Sequence, residues 1–401
     1  MTDRRDPATL ALHGAGGERR AGSPVSPSIT VATSFHADPA GIGFSANDLA
    51  GTPPPFYTRW GNPTVAELES RLALLEGGAG AVAFASGMAA ISGLFLSVLG
   101  AGDHLVLSDV CYAGVAELAQ DILPRYGIEV TLVDTGDTAA VAAAIRPGIT
   151  RLVHAETPAN PILRLSDIAA LAGVAHAAGA LLSVDSTIAT PIATRPLALG
   201  ADFVVHSLTK YICGHGDALG GIVVAARAGD LTEIRNGALI HHGAALSPFA
   251  AWAILRGLET LVPRLRLHEE NARAVANFLE NHPAVGHVLW PGLDSHPQAA
   301  LARRQMANFS GLLSFTVTGD GRALAARMAA DLRVASYAVS LGKTKSLIFY
   351  IPTEDILRSS FRLAGRAADN YRAAAGDGVF RLSVGLEGAA DLIADLDRVL
   401  R

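Results

Sequence analysis

The chain has 401 residues, half of them hydrophobic and 17% charged, so it can bury a large core in more than one domain. Its formal net charge is −5 and it contains no basic block, which argues against a dedicated nucleic-acid binder. Its two cysteines, Cys111 and Cys213, are too few for a disulfide framework, so we expect a reducing, cytoplasmic environment.

Residues 1–60 are rich in Pro, Gly, Ser and Thr and show little periodicity, so we expect no regular elements there. Residues 1–10 have no apolar run, and no signal peptide is predicted. The segment closes on Tyr57 and Arg59, which place an aromatic group beside a cation. Long segments of this kind are commonly functional, so we predict an ordered arm that contacts a neighbouring subunit.

Helical and strand-like patterns alternate after the turn at residues 61–64. A helix follows that turn, with its apolar positions at Val65, Leu68, Leu72 and Leu75. The predicted strands are 81–85, 104–107, 129–133, 151–155, 181–184, 203–206 and 221–225, and helical stretches between them include 112–123, 139–145 and 168–178. This alternation predicts a mostly parallel sheet covered on both faces, and the last two strands are close enough to pair antiparallel.

The remaining third of the chain predicts a smaller α+β domain. Two helices are expected at residues 248–261 and 263–282, and strands at 311–317, 332–334, 346–350 and 379–384. We therefore divide the chain into an arm (1–60), a large α/β domain (61–255) and a C-terminal α+β domain (256–401).

Residues 79–102 are nearly free of charge and are long enough to span a bilayer. However, Ser86 and Gly87 divide this stretch into a strand-like half and a helix-like half. We interpret it as buried α/β core and keep a membrane span as the alternative.

Charged groups follow two neighbouring predicted strands. Asp185 ends one strand, and Lys210 follows another after the polar turn that contains Ser207 and Thr209. In a parallel sheet these ends share one rim, which is where ligands bind in open α/β folds. A lysine buried there is a candidate Schiff-base nucleophile, because desolvation lowers its pKa.

The turn Ser86-Gly87-Met88 lies between a predicted strand and a predicted helix. Backbone N–H groups at a helix N-terminus bind phosphate, and the hydroxyls of Ser207 and Thr209 can add donors. A phosphate site beside a lysine and an aspartate describes a pocket for pyridoxal 5′-phosphate (PLP), whose protonated ring nitrogen the aspartate would stabilise.

The chain resembles the Cys/Met-metabolism family of PLP-dependent enzymes, which have fold type I. The matching stretches include Tyr57-Thr-Arg-Trp-Gly-Asn-Pro-Thr64, Phe84-Ala-Ser-Gly-Met-Ala-Ala90 and Glu156-Thr-Pro-Ala-Asn-Pro161. Further matches are Val184-Asp185, Ser207-Leu-Thr-Lys-Tyr-Ile-Cys-Gly-His215 and Phe380-Arg-Leu-Ser-Val-Gly-Leu-Glu387. They cover nearly the whole chain in the family's order, so the resemblance implies the α/β fold of PLP-dependent transferases.

The resemblance implies a role for each matched residue. Lys210 binds the cofactor covalently and shuttles protons, while Tyr112 stacks on the ring and acts as an acid toward the leaving group. The implied cofactor-binding residues are Gly87, Met88, Tyr112, Asn160, Asp185, Ser207, Thr209 and Lys210, joined by Tyr57 and Arg59 from the neighbouring subunit. Arg381 and Ser340 bind the substrate α-carboxylate. The family also implies a homotetramer built from two dimers with shared active sites, and it leaves the role of Glu156 open.

The family shares its cofactor but differs in substrate. Val339 stands where cystathionine γ-synthases and γ-lyases carry Glu, which favours a methionine γ-lyase-like enzyme. Gly114, the stretch 239–243 and the loop 343–355 depart from methionine γ-lyases or from many relatives. We expect a carbon–sulfur lyase that performs γ-elimination and gives 2-oxobutyrate and ammonia. The alternatives are a canavanine γ-lyase, a γ-replacement enzyme (cystathionine γ-synthase or O-acetylhomoserine sulfhydrylase) and a cystathionine β-lyase.

Other classes of protein fit the sequence less well. His206, His215 and the pair His241-His242 lack metal-ligand spacing, so no metal is expected. The glycines at 77, 78 and 80 precede a predicted strand, whereas those of a dinucleotide-binding loop follow one. An inactive relative should lack Lys210, Asp185 or Arg381, and all three are present.

Overall fold

The computed structural model describes residues 5–16, 21–37, 45 and 55–401, and within them the strands form two sheets. The first sheet contains β1 (Gly80–Phe84), β2 (His104–Ser108), β3 (Glu129–Val133), β4 (Thr150–Glu156), β5 (Leu181–Asp185), β6 (Phe203–Ser207) and β7 (Gly221–Ala225). The second sheet contains β8 (Val285–Leu289), β9 (Leu312–Val317), β10 (Ser336–Tyr337), β11 (Leu347–Pro352) and β12 (Gly378–Ser383).

The α-helices accompany both sheets. In chain order they are α1 (Pro7–His13), α2 (Pro63–Glu76), α3 (Gly87–Val98), α4 (Ala113–Glu117), α5 (Thr138–Ala144), α6 (Ile168–Ala177), α7 (Thr190–Ala193), α8 (Ala228–Ile234), α9 (Pro248–Glu259), α10 (Leu261–Glu280), α11 (Ala299–Gln305), α12 (Gly321–Asp331), α13 (Thr353–Ile356), α14 (Gly365–Ala375) and α15 (Ala389–Leu400). Short segments with wider or tighter helical turns are Leu118–Ile122, Leu123–Tyr126, Pro196–Leu199, Arg235–His241 and Leu357–Phe361.

The first sheet has the strand order β1-β7-β6-β5-β4-β2-β3. The run from β3 to β6 is parallel, and β7 is antiparallel to both of its neighbours, β6 and β1. This confirms the mostly parallel sheet and the antiparallel pairing of β6 with β7. Since β4, β5 and β6 are parallel, their carboxyl ends meet at one rim.

Apolar side chains cover both faces of this sheet. Along β7, Ile222 and Val224 belong to a buried cluster with Leu68 of α2. The residue between them, Val223, belongs to a second cluster with Phe95 of α3. Such alternation is the period of a strand buried on both sides, and it explains why the predicted strands read as continuous apolar runs.

The N-terminal segment contains a helix, so the expectation of no regular elements was wrong. Pro7 opens α1, and the side chain of Asp6 accepts a hydrogen bond from the Ala8 N–H. Leu10 and Ala11 are buried with Leu68 and Leu72 of α2. The helix is short, and its apolar contacts come from a partner distant in sequence, which explains why periodicity missed it.

The second sheet has the order β10-β11-β12-β9-β8, and only β10 pairs parallel among its described strands. The predicted strand at 332–334 is absent, and β10 begins at Ser336. The reason is the Asp395 carboxylate, which accepts hydrogen bonds from the N–H groups of Arg333, Val334 and Ala335. The strand β8 was not predicted from the sequence.

Helix α10 joins the two parts of the chain. Its first half contributes Leu261 and Leu265 to the core that contains α2 and β7. Its second half contributes Val275 and Leu279 to the core of the second sheet. The predicted boundary between residues 255 and 256 stays a prediction.

The uncharged stretch at residues 79–102 forms the strand β1, a turn and the helix α3, as the interpretation of buried core required. Across the described parts of the chain, we find no helix with the length and apolar character needed to cross a bilayer.

Candidate active site

Two carboxylates lie side by side at the rim where β4 and β5 end. Glu156 and Asp185 are paired in the parallel register of these strands, so their side chains emerge together. The Thr187 N–H donates to Asp185 Oδ1 at 2.9 Å, and the Thr187 hydroxyl accepts from the Ser207 N–H at 2.8 Å. Thr187 therefore ties the carboxylate of β5 to the end of β6.

Glu156 fixes two residues of the site through its two oxygens. Its Oε2 accepts the Tyr112 N–H at 2.6 Å, and its Oε1 accepts the Asn160 N–H at 2.8 Å. The side chain thus positions the backbone on which the Tyr112 ring and the Asn160 amide are mounted. Sequence reasoning left its role open, and the structure gives it this positioning contact.

The buried environment of the two carboxylates favours their protonated forms. Burial, and then the charge of Asp185, raises the pKa of Glu156 to about 8. Burial also raises the pKa of Asp185, against the lowering effect of its hydrogen bonds from Thr187. Because both pKa values are raised, the pair of acids retains a proton at neutral pH. A cation bound nearby would favour loss of that proton.

Lys210 reaches this rim from the turn that follows β6. Burial, followed by the positive charges of Arg381 and Lys343, lowers the pKa of its amine from 10.5 to about 8, against the opposing effect of Asp185. The neutral amine needed for nucleophilic attack is therefore available near neutral pH.

An anion cradle lies at the start of α3. Ser86 caps this helix by accepting the Ala89 N–H, which leaves the first amides of Gly87 and Met88 at the positive end of the helix. A Cβ on Gly87 would lie 2.8 Å from the Cβ of Ser207. Gly87 is thus required for the close approach of the helix to the β6 turn.

The Arg381 side chain extends from the second sheet toward Asn160 at the site. It lies on β12, donates from Nη1 to Asn160 Oδ1 at 3.1 Å and from Nη2 to the Ser340 carbonyl at 3.2 Å. Its Nε is buried with no hydrogen-bond partner, which leaves one donor for an anion. Ser340 has a φ of 102°, a region that non-glycine residues rarely occupy and that often marks functional loops.

Most of these groups line a cavity of about 200 Å³, whereas Arg381 and Ser340 are not among the residues that line it. Its walls bring together the predicted residues Gly87, Met88, Tyr112, Asn160, Asp185, Ser207, Thr209 and Lys210. Tyr57 and Arg59 do not line it. Instead, Arg59 donates to the Ile240 carbonyl at 2.6 Å and lies over the Tyr57 ring. Tyr57 itself is 42% exposed.

Sequence reasoning missed several residues of the cavity. Thr187 could have been found from its position two residues after Asp185, because hydroxyls are common partners in such turns. The apolar walls formed by Ile91, Ile188, Leu219 and Leu341 carry no sequence signal, since nothing distinguishes them from ordinary core residues.

Two of the four histidines considered as possible metal ligands contact other groups instead. His206 lies against Glu76 at 2.6 Å with both side chains buried, and His215 Nδ1 lies 2.7 Å from the Cys213 carbonyl oxygen. His241 and His242 are exposed. Among the described residues no group of three or more His, Cys, Asp or Glu side chains could hold a metal ion.

The residues of the cavity fit PLP group by group. The cofactor carries a phosphate, a ring nitrogen that needs a carboxylate and an aldehyde that reacts with an amine. The α3 cradle with Ser207 suits the phosphate, Asp185 suits the ring nitrogen, and the low-pKa amine of Lys210 suits the aldehyde.

Comparison with known proteins agrees with this fit. The Cys/Met metabolism PLP-dependent enzyme family matches residues 8–401. Canavanine γ-lyase of Pseudomonas canavaninivorans is 42% identical over 98% of this chain and 96% of its own length. L-methionine γ-lyase of Porphyromonas gingivalis is 43% identical over 97% of this chain and 95% of its own length.

A solved structure extends the likeness to the whole fold. Cystathionine γ-synthase from Xanthomonas oryzae pv. oryzae superposes with a TM-score of 0.87 at 37% identity, covering 99% of this chain and 98% of that chain. Its fold is that of the fold type I PLP-dependent enzymes, as the sequence implied. The chain therefore belongs to the Cys/Met metabolism family of PLP-dependent enzymes, and PLP is its cofactor.

Proposed function

We propose that this enzyme performs γ-elimination on a four-carbon amino acid of the homoserine or homocysteine type, as a methionine γ-lyase does, and releases 2-oxobutyrate and ammonia. The observation that carries the proposal is the partly buried amine of Lys210, which follows β6 at the rim where Asp185 ends β5 and whose pKa is lowered to about 8, chiefly by burial. γ-Elimination needs one mobile base, because protons leave both Cα and Cβ before the γ-substituent departs. The two γ-lyases of similar sequence support this reaction type.

Arg381 is the group that binds the substrate α-carboxylate. Its Nε has no partner in the protein, while its two Nη donors are held by Asn160 and Ser340. A guanidinium held in this way offers a fixed donor to an incoming carboxylate and sets the orientation of Cα.

Lys210 moves the protons. With a pKa of about 8, a fraction of roughly a tenth of the amine is neutral at pH 7 and can accept a proton. Bound PLP supplies the electron sink that stabilises negative charge at Cα and Cβ. Asp185 stabilises the positive ring nitrogen on which that sink depends.

The far side of the cavity suits a short apolar side chain. Ile91, Leu219 and Leu341 line it, and the position before Ser340 is Val339, which is 64% exposed. Without an acid at this position, there is no partner there for the distal ammonium of cystathionine. Tyr112, whose backbone Glu156 fixes, is 49% exposed and is the acid we assign to the leaving group.

Product identification tests the proposal. The purified enzyme is incubated separately with methionine, homocysteine, cystathionine, canavanine, and O-acetylhomoserine with sulfide, and 2-oxobutyrate and ammonia are quantified. We expect both products from methionine or homocysteine and none with the Lys210→Ala variant. Homoserine from canavanine, homocysteine formed only with sulfide, or pyruvate alone would instead identify a canavanine γ-lyase, a sulfhydrylase or a β-lyase.

We also propose that Tyr57 and Arg59 complete the active site of a neighbouring subunit in a homotetramer. Two facts support it: both residues lie outside their own chain's cavity, and large apolar side chains such as Val31 and Phe249 are exposed on this chain. Light scattering of the purified protein tests the oligomeric state.

A further inference from the structure

A buried arginine binds the backbone that carries Lys210. Arg264 lies on α10 and is only 5% exposed. Its Nη1 donates to the Tyr211 carbonyl at 2.8 Å, and its Nη2 donates to the carbonyls of Ile212 at 3.3 Å and Gly257 at 2.7 Å. Two of these oxygens belong to the residues that directly follow Lys210. The guanidinium therefore fixes the backbone just beyond the lysine.

The turn after Lys210 needs such a partner. The Lys210 carbonyl accepts the Gly214 N–H at 2.7 Å, but in the described chain the carbonyls of Tyr211 and Ile212 accept no backbone N–H. Carbonyls at the end of a helical turn require a donor from elsewhere, and a cation is well suited to them. The packing leaves room for this one, since a Cβ on Gly214, whose φ is 73°, would overlap the Arg264 guanidinium.

Arg264 carries its charge into the interior without a carboxylate partner. Among the residues that the structure describes it forms no ion pair, and its Nε donates to the Thr260 hydroxyl at 3.1 Å. Burial lowers the pKa of Arg264 to about 10, so the group stays charged at neutral pH. A buried charge is costly unless its hydrogen bonds are made. The contacts with the turn compensate this charge, so the positions of the guanidinium and the turn depend on each other.

The same face of α10 also contacts the chain that follows Arg381. His268 comes four residues after Arg264, which places both side chains on one side of the helix. The His268 Nδ1 lies 2.7 Å from the Val384 carbonyl oxygen, just beyond the end of β12. Its ring packs edge-on against the Tyr211 ring, with centroids 5.2 Å apart. One helix face thus contacts both the turn that carries the lysine and the strand end that carries Arg381.

We propose that Arg264 is a positioning residue: by binding the two carbonyls that follow Lys210, it places the lysine amine for proton transfer at the substrate Cα. In the proposed function Arg381 sets the orientation of Cα, and Arg264 sets the position of the base that approaches it. The inference rests on proton transfer by Lys210, but not on which γ-substituent leaves. The rate of Cα proton removal therefore measures this placement directly.

Exchange of the Cα proton for deuterium tests the placement in the holoenzyme. Norvaline is the probe, because it has the groups of an α-amino acid but nothing at Cγ that can leave, and NMR follows its exchange in D₂O. A misplacement of about 1 Å can lower a rate by about 100-fold, so Arg264→Ala should lower the saturated exchange rate by about tenfold or more. The norvaline concentration for half-maximal exchange should stay near the wild-type value, since Arg381 is intact.

Capture of PLP by the cofactor-free protein gives a readout that does not depend on turnover. The absorbance change on mixing should develop about tenfold more slowly in Arg264→Ala. Methylguanidinium at a concentration that does not denature the protein should restore part of both rates, because it can bind the same carbonyls. Arg264→Lys keeps the charge but lacks the planar fork that reaches several oxygens, so it should lower both rates even if the alanine variant does not fold.

Arg71→Ala is the matched control. Arg71 on α2 is also a buried arginine that binds two carbonyls, those of Ala11 and Leu12, but it pairs with Glu67 and does not contact the Lys210 turn. Its removal should lower the melting temperature and leave the exchange and capture rates of the folded enzyme unchanged.

Unchanged exchange and capture rates in the folded Arg264 variants would overturn the inference, as would an equal loss of both rates in Arg71→Ala. A rise in the half-maximal norvaline concentration at an unchanged saturated rate would also overturn it, because the defect would then lie in substrate binding. Wild-type enzyme that exchanges no Cα proton would instead contradict the proposed function itself, in which Lys210 removes that proton.

Discussion

Replacement of Arg381 by glutamine tests the substrate site and the electrostatics of Lys210 together. The guanidinium is buried on β12, where it bonds Asn160 and Ser340 and keeps Nε free for an anion. Its positive charge is also the largest effect after burial among those that lower the Lys210 pKa. Glutamine keeps a polar side chain at the position and removes the charge.

The structure sets the expected size of both effects. A buried hydrogen bond between charged groups contributes about 1.5–3 kcal/mol, which corresponds to a rise in KM for the amino acid of roughly 10- to 150-fold. Without Arg381, the pKa of Lys210 should move from about 8 back toward 10.5. Since only the neutral amine attacks the cofactor aldehyde, capture of PLP by the cofactor-free protein should then require higher pH.

Two assays read these effects separately. Steady-state kinetics give KM, and the change in cofactor absorbance on mixing gives the rate of PLP capture between pH 6 and 10. We expect a half-maximal capture rate near pH 8 in the wild type and at clearly higher pH in Arg381→Gln. Arg327→Gln, which removes an exposed arginine of α12, is the control for net charge. An Arg381→Gln protein that melts like the wild type, yet keeps both its KM and its capture profile, would refute the reasoning.

Three further predictions concern other parts of the molecule. Lys210→Ala should lose the absorbance of covalently bound PLP and nearly all turnover, so retained activity would contradict its role as the cofactor lysine. Mixed oligomers of Lys210→Ala and Arg59→Ala, formed by refolding together, should recover part of the activity that each variant lacks; if Arg59 serves its own chain's site, no recovery is measured. Burial lowers the pKa of His154 to about 3 from 6.5, so the unfolded state binds the extra proton between these values. The unfolding free energy should therefore be highest above pH 6.5 and fall as the pH drops toward 3, an effect that His154→Phe should reduce in denaturant titrations.

The sheet and its rim followed from the sequence because local signals agreed there. Short apolar runs alternate with helical stretches, Asp185 is the last residue of β5, and Lys210 lies three residues after the end of β6. Parallel pairing then brings these residues together without further information. The meeting of Lys210 and Asp185 at one rim was therefore predictable by residue number.

Elements held by long-range contacts were not predictable in this way. The segment 332–334 has the composition of a strand, but the carboxylate of Asp395 on α15 binds its N–H groups. Helix α1 is stabilised by burial against α2, more than 50 residues along the chain. In both cases the deciding partner lies outside any local window, so tertiary contacts override the local pattern.

The same limit applies to the loops beside the cavity. The position of Lys343 depends on two loops far apart in sequence: Gly342 must pack on the Lys210 turn, and Gly216 must leave room for the lysine stem. Nothing in the sequence indicates that either glycine packs against a loop distant in the chain. Because these loops meet only in the folded chain, the family motifs identify the cofactor chemistry but leave the leaving group open. A group beside the cavity can change the preferred γ-substituent without altering Lys210, Asp185 or Arg381, because specificity depends on the site and not on the fold.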